Sequence, residues 1–342
     1  MKNFLRVIGA ISLVATPAAF WAHAQDEDQT TFHVKVDMVV LSFTVTDTKG
    51  KYVNGLKPAN FKVYEDDIPQ KVATFAEGTR APVQVLANGE TRPLPAGSAG
   101  SAGNGTPPGP GVVDLRSDAM TGTNVFVLFD TSNYMYRGFV YASDAIADFI
   151  RGLDRADSIA VYTYSRNLNR AVPLNRDRMT AISGLRRAVA GDDSALYNCL
   201  LLTLRDAARV AGRKVVIVFS NGPDNASMVA PDDVRAVAED EGIPIYVIST
   251  SEVTNDAIST SIFKRITMTT GGKSYFAKTW QKQVEAFESI REDLGNSYTV
   301  TYYPQPNPNE GFRRISIQLT SDTMRKYKIR ARPGYRPQRS FE

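Results

Sequence analysis

From residue 124 to about 295 the chain repeats one alternation: a short run of consecutive apolar residues, then a longer stretch with helical period. The runs lie at 125–129, 159–164, 215–219 and 243–248. A strand that is apolar at every position has to be covered on both faces, as in a parallel sheet flanked by helices. Helical patterns separate the runs at 140–153, 178–189, 196–210 and 232–239, and others follow at 255–269 and 280–294. Pro231 suits a first helical turn, and Asp232 and Asp233 complement its positive end. Tyr275 and Phe276 make a last short strand. The expected fold is therefore α/β, a doubly wound, mostly parallel, Rossmann-like sheet.

The flanks read differently. In 32–77, Val34, Val36, Met38 and Val40 alternate with Lys35, Asp37 and Val39, and Phe43 and Val45 continue the apolar phase. Asp47-Thr48-Lys49-Gly50 is a turn, and strands are expected at 61–64 and 71–75. After the α/β region, β patterns return at 298–303, 315–319 and 327–331. About three strands per flank is thin for an independent sheet. The expectation is that both flanks pair into one β-sandwich with the α/β domain inserted between them. Residues 79–112 interleave prolines such as Pro93, Pro95, Pro107 and Pro108 with glycines and show no apolar period, which reads as a flexible linker. The expected division is a signal peptide at 1–24, an N-terminal β segment at 25–78, the linker at 79–112, the α/β domain at 113–295 and a C-terminal β segment at 296–342.

Lys2 and Arg6, the apolar stretch 7–15 and Ala22-His23-Ala24 have the order of a secretory leader. Pro17 breaks the run short of the ~20 apolar residues a membrane span needs, and no later run is long enough. The mature chain is thus expected outside the cytoplasm, periplasmic or secreted, with no transmembrane anchor. The formal charge of +4 falls to +2 when Lys2 and Arg6 leave, so nothing in the balance argues for nucleic acid. The single cysteine, Cys199, lies in an apolar helical stretch and reads as core filler. One cysteine allows neither an intramolecular disulfide nor a CxxC metal site, and since His23 leaves with the leader and His33 alone remains, a zinc site built on two histidines is excluded.

In doubly wound sheets ligands sit beyond the carboxyl ends of strands. The first apolar run is followed by Asp130-Thr131-Ser132-Asn133-Tyr134-Met135, the third by Ser220-Asn221-Gly222-Pro223-Asp224, and Gly191-Asp192-Asp193-Ser194 leads into the helix between them. Carboxylates, hydroxyls and amides are hard oxygen donors that suit Mg²⁺ or Ca²⁺.

Asp130-x-Ser132, the helix start Ser194-Ala195-Leu196-Tyr197 and the strand 215–219 ending in Ser220-Asn221-Gly222 resemble a von Willebrand factor A domain. The flanking Phe61-Lys62-Val63-Tyr64-Glu65-Asp66 and the closing Gly334-Tyr335-Arg336-Pro337 resemble a related family of secreted bacterial proteins, frequent in acidobacteria. The resemblance implies a metal-ion-dependent adhesion site with Asp130 and Ser132 on the first loop, Ser194 on the second and Asn221 on the third. There Tyr134 stands for a serine, Ser194 for a threonine and Asn221 for an aspartate. Losing that carboxylate weakens cation binding, because charge count sets affinity. Asp224, Asp192 and Asp193 are neighbouring carboxylates that could compensate.

Tyr134 and Tyr136 are candidate partner anchors beside that rim, with Asp192 and Asp193, whereas Phe139 and Tyr141 are expected to pack the first helix on the sheet. Gly271-Gly272-Lys273-Ser274 is one glycine short of a phosphate loop and follows a helix, which makes a helix C-cap the better reading. The basic C-terminal stretch (Arg313, Arg314, Arg325, Lys326, Lys328, Arg330, Arg332, Arg336, Arg339) reads as edge protection, or as a patch for anionic envelope polymers. The function expected is a non-enzymatic, extracytoplasmic protein-binding module of adhesion type with a degenerate metal site. The alternatives are a structural component of an envelope complex and, weakest, a hydrolase, for which His33 is the sole histidine left as a base.

Overall fold

The computed structural model describes residues 38–94, 122–135, 138–154, 157–250 and 256–337. The leader, residues 25–37, Tyr136 and Arg339 lie outside the described residues. So do 95–121, most of the expected linker.

The N-terminal flank forms β1 (Val39–Thr46), β2 (Phe61–Glu65), β3 (Ile68–Gln70), β4 (Val72–Glu77), β5 (Val83–Val85) and β6 (Thr91–Pro93). The α/β body follows as β7 (Asn124–Asp130), α1 (Phe139–Arg151), β8 (Ser158–Tyr164), β9 (Leu168–Asn175), α2 (Arg178–Arg186), α3 (Leu196–Ala208), β10 (Lys214–Ser220), α4 (Pro231–Asp240), β11 (Ile245–Ser249), α5 (Ala257–Thr270), β12 (Ser274–Phe276) and α6 (Trp280–Gly295). The C-terminal flank adds β13 (Ser297–Tyr302), β14 (Arg313–Leu319), β15 (Lys328–Ala331) and β16 (Gly334–Tyr335).

The central sheet has the order β12-β11-β10-β7-β8-β9. Its strands pair in parallel except β9, which runs antiparallel to β8 along one edge. The continuous apolar runs are explained by two cores. Val125, Val127 and Phe129 pack under α1, α2 and α6, while Phe126, Leu128, Val216 and Val218 pack under α3, α4 and α5. β8 and β10 flank β7, so the direction of winding reverses at β7 and the crevice of a doubly wound sheet opens there. β9 was not foreseen, because its edge position leaves it half-exposed without a clean apolar pattern. Gly271 ends α5 in the left-handed conformation (φ 85°), as the C-cap reading requires.

The flanks do share one sandwich. One sheet runs β15-β1-β13-β4-β5-β6 and the other β16-β14-β2-β3, so each combines strands from both ends of the chain. Between the sheets Phe43, Phe61, Phe75 and Tyr298 form an aromatic cluster with ring centroids 5.1–6.0 Å apart. In β1 it is Val39, Leu41, Phe43 and Val45 that are buried, so the inward phase is opposite to that read from Val40. A one-residue change of phase exchanges the faces of a strand. The linker expectation needs a second correction. Residues 83–93 form the β5–β6 hairpin, with Val83 and Val85 packed on the sandwich core.

The family-like motifs of the flanks meet in this core. Glu65 is fully buried and accepts hydrogen bonds from the hydroxyls of Tyr302 (3.2 Å) and Tyr335 (2.9 Å), and Arg313 pairs with it at 3.0 Å. Several cations of the basic stretch therefore turn inward. Arg313 serves Glu65, Arg330 pairs with Asp293 at 2.7 Å, and Arg332 donates to the carbonyls of Glu239 (2.8 Å) and Val40 (3.2 Å). A buried carboxylate must be paired, and this need outweighs edge protection at those positions. Replacing Glu65 by alanine leaves Arg313 without its counter-ion and the Tyr302 and Tyr335 hydroxyls without their acceptor, and the expected loss is roughly 3–5 kcal/mol of stability, measured by urea unfolding.

Candidate functional site

Asp130 closes β7 at the crevice and is fully buried. Its Oδ1 accepts the backbone N–H of Ser132 at 2.9 Å, a turn imposed by the chain leaving the strand. Its Oδ2 accepts the hydroxyls of Ser220 (2.8 Å), the last residue of β10, and of Tyr164 (3.0 Å), the last residue of β8. Tyr164 and Ser220 also lie within hydrogen-bonding distance of each other, at 3.0 Å. Three adjacent strands thus end on one carboxylate. Burial pushes the Asp130 carboxyl above its usual range, against the opposing effect of these donors. Burial likewise pushes the Tyr164 phenol well up, with the Asp130 charge adding to it. The Gly191 N–H donates to the Thr131 carbonyl at 2.8 Å and the Asn225 N–H to the Ser194 carbonyl at 3.0 Å, so the three loops lie against one another. Tyr164 and Ser220 are the members that sequence reasoning missed as site residues. Their one signal was a polar group ending an apolar run at the carboxyl edge.

The other expected donors have mixed fates. The hydroxyls of Ser132 and Ser194 are buried and make no hydrogen bond. Asn221 is turned away: its Nδ2 donates to the Tyr134 carbonyl (3.0 Å) and its Oδ1 accepts from the Thr250 hydroxyl (2.9 Å). Asp224 is spent on backbone. Its Oδ2 accepts the Tyr197 N–H at 3.0 Å in the first turn of α3, and its Oδ1 accepts the Ser227 N–H at 2.9 Å. A carboxylate there complements the orphan donors and positive end of that helix. Asp193 pairs with Arg166 at 3.1 Å, and Asp192 is exposed, its carbonyl accepting the Asn133 N–H at 3.2 Å.

This inventory bears on whether a divalent cation suits the centre. Two neutral hydroxyls are available, and they are the donors such an ion would take. Among the described residues, the carboxylate that hydrogen bonds bind into this centre is Asp130, already holding three internal hydrogen bonds. The amide and carboxylate expected to complete the set are committed elsewhere. A hard dication binds through one or two carboxylates with free lone pairs and fills its shell with water, and the oxygens of Asp130 are already taken up by internal donors. The residues present do not fit the ion that the resemblance implies.

The rim above is partly aromatic. Tyr134 is 38% exposed, and Tyr141 is 63% exposed rather than packed on the sheet. The buried stripe of α1 runs through Ala142, Ala145, Ile146, Phe149 and Ile150, and Tyr141 falls outside it, while Phe139 does pack on the core. Cys199 is core filler, its thiol pushed up to about 12 by burial.

Fold and centre together define a doubly wound α/β domain with polar loops at its carboxyl edge, carried on a β-sandwich. Residues 124–290 match the family model of the von Willebrand factor type A domain. Among solved structures, an aerotolerance-related membrane protein from Bacteroides fragilis is 14% identical, covering 51% of this chain and 98% of that one, with a TM-score of 0.42. A von Willebrand factor type A protein from Catenulispora acidiphila is 13% identical over 64% of this chain and 67% of its own, TM-score 0.42. The PilB minor pilin from Streptococcus sanguinis is 11% identical over 75% and 87%, TM-score 0.42. Comparison with curated proteins yields no match.

The raised carboxyl of Asp130 sets a pH dependence. Between the unfolded value near 3.9 and the raised folded value, the folded state binds more protons, so this group's contribution falls as pH rises through that window. Asp130→Asn has no such titration. The stability gap between wild type and Asp130→Asn is therefore expected to be largest near pH 4 and to narrow towards pH 7, as read from urea unfolding at each pH.

Proposed function

We propose that the α/β body is a non-enzymatic protein-interaction module whose docking face is the carboxyl edge of its parallel sheet. One observation carries this reading. Of the eleven exposed large apolar side chains among the described residues, six (Tyr134, Val140, Tyr141, Met228, Ile258 and Trp280) lie in the loops and first helical turns that follow the carboxyl ends of parallel strands. Exposed apolar groups gathered on one edge and interleaved with polar loops are the mark of a contact surface. Met228 is 95% exposed on the loop after β10, and Ile258 is 76% exposed at the start of α5. The buried, hydrogen-bonded Asp130 and the buried Cys199 thiol support a binding rather than a catalytic role.

The leader pattern at residues 1–24 supports an extracytoplasmic location, periplasmic or secreted. No helix among the described residues is long and apolar enough to cross a membrane. The partner is a protein, and the sandwich serves as its platform.

The test is photo-crosslinking to envelope proteins from probes placed singly at Tyr134, Met228, Leu202 and Met268. A shared adduct is expected from the first two positions and none from the last two. Tyr134→Ser combined with Met228→Asp is expected to weaken binding of that adduct partner about tenfold or more, roughly 1.4 kcal/mol. Adducts from Leu202 and Met268 alone would place the contact elsewhere and support a purely structural role.

A further inference from the structure

The loop that presents Tyr134 is tied from neighbouring segments at two points, the Tyr134 carbonyl and the Met135 sulfur. Asn221 donates its amide N–H to the Tyr134 carbonyl and accepts the Thr250 hydroxyl. That hydroxyl also lies 3.6 Å from the sulfur of Met135, which is buried beneath the loop. Next to Asn221, Gly222 has φ 118°, and its carbonyl accepts the Ser259 hydroxyl at 3.1 Å. The Thr250 N–H is held by the Ser220 carbonyl at 3.0 Å. Segments following β7, β10 and β11 are thereby tied through one carboxamide. The chemistry requires an amide here. An aspartate would set a carboxylate against the Tyr134 carbonyl, acceptor against acceptor, whereas asparagine supplies a donor to one side and an acceptor to the other.

We propose that Asn221 is a positioning residue, a latch that holds the Tyr134 loop on the rim in place of a divalent cation, so that this face is preassembled without metal. The role assigned to Tyr134 rests on the docking reading above, but the latch does not, and its test needs no partner.

The test combines melting curves in MgCl₂, CaCl₂ or chelator with hydrogen exchange on the full chain. Wild-type Tm is expected to move by less than about 1 °C up to about 10 mM of either ion, because a bound ion would stabilise by linkage. Asn221→Ala should lower Tm and speed exchange across 131–135 about tenfold or more. Thr250→Val should do the same more mildly, and the Tm losses of the two variants should fail to add, since they remove one shared contact. Ser297→Ala, far from the rim, should lower Tm with exchange at 131–135 unchanged. The inference is overturned if Mg²⁺ or Ca²⁺ raises wild-type Tm by several degrees. It is equally overturned if Asn221→Ala and Thr250→Val leave exchange at 131–135 as in wild type. Either result leaves the crosslinking test of the docking face untouched.

Discussion

A guanidinium buried away from water must be given acceptors for its donors, and two such groups, Arg213 and Arg332, hold this molecule together with the half-buried Arg330 beside them. Arg213, immediately before β10, reaches the carbonyls of Gly78 and Leu294 and the hydroxyl of Ser297 (2.6 Å). Arg332 joins β1 to the last turn of α4, and Arg330 joins β15 to Asp293 on α6 and to the carbonyl of Gly271 (2.6 Å). Tyr52 adds its hydroxyl to the same Asp293. Each cation bridges sandwich and α/β body. Sliding one past the other would leave buried charges without partners, at several kcal/mol each. These ties resist sliding at the junction between the sandwich and the sheet of the α/β body.

What the sequence made legible follows from how local each constraint is. The apolar runs of β7, β8, β10 and β11 announce strands covered on both faces, and the helical periods between them locate α1 to α6 to within a few residues. The convergence of the loops at 130, 194 and 220 was readable because doubly wound sheets place loops in a known way. The roles of individual polar residues were not. Asp224 reads as a free carboxylate until α3 is seen to begin beside it. Asn221 reads as a weakened ligand until Tyr134 and Thr250 are in place around it. Arg330 and Arg332 read as surface charge because nothing near them in sequence reveals Asp293 or the end of α4. Glu65 and Tyr335 were visible as motifs, but the reason for them is a hydrogen bond between residues 270 positions apart.

The centre at the crevice is best understood as a closed polar knot. Asp130 gathers donors from β8 and β10, and Asn221 fastens the loop above it. The two unpaired hydroxyls of Ser132 and Ser194 mark where the arrangement stays polar without being charged. A centre of this kind ties together the ends of three strands.

The interleaving of the flanks governs the order in which the chain can assemble. Val39 on β1 finds its partner Tyr302 on β13 only after the whole α/β body has intervened. The strands of that body find partners much closer along the chain, so it can condense while β1 and β2 still wait with bare edges. Closing the sandwich, whose pairings span the greatest separation along the chain, is then the slowest contact to reach. During that interval Val39, Leu41, Phe43 and Val45 form an unpaired apolar strand, the part of the nascent molecule in greatest need of a chaperone's protection.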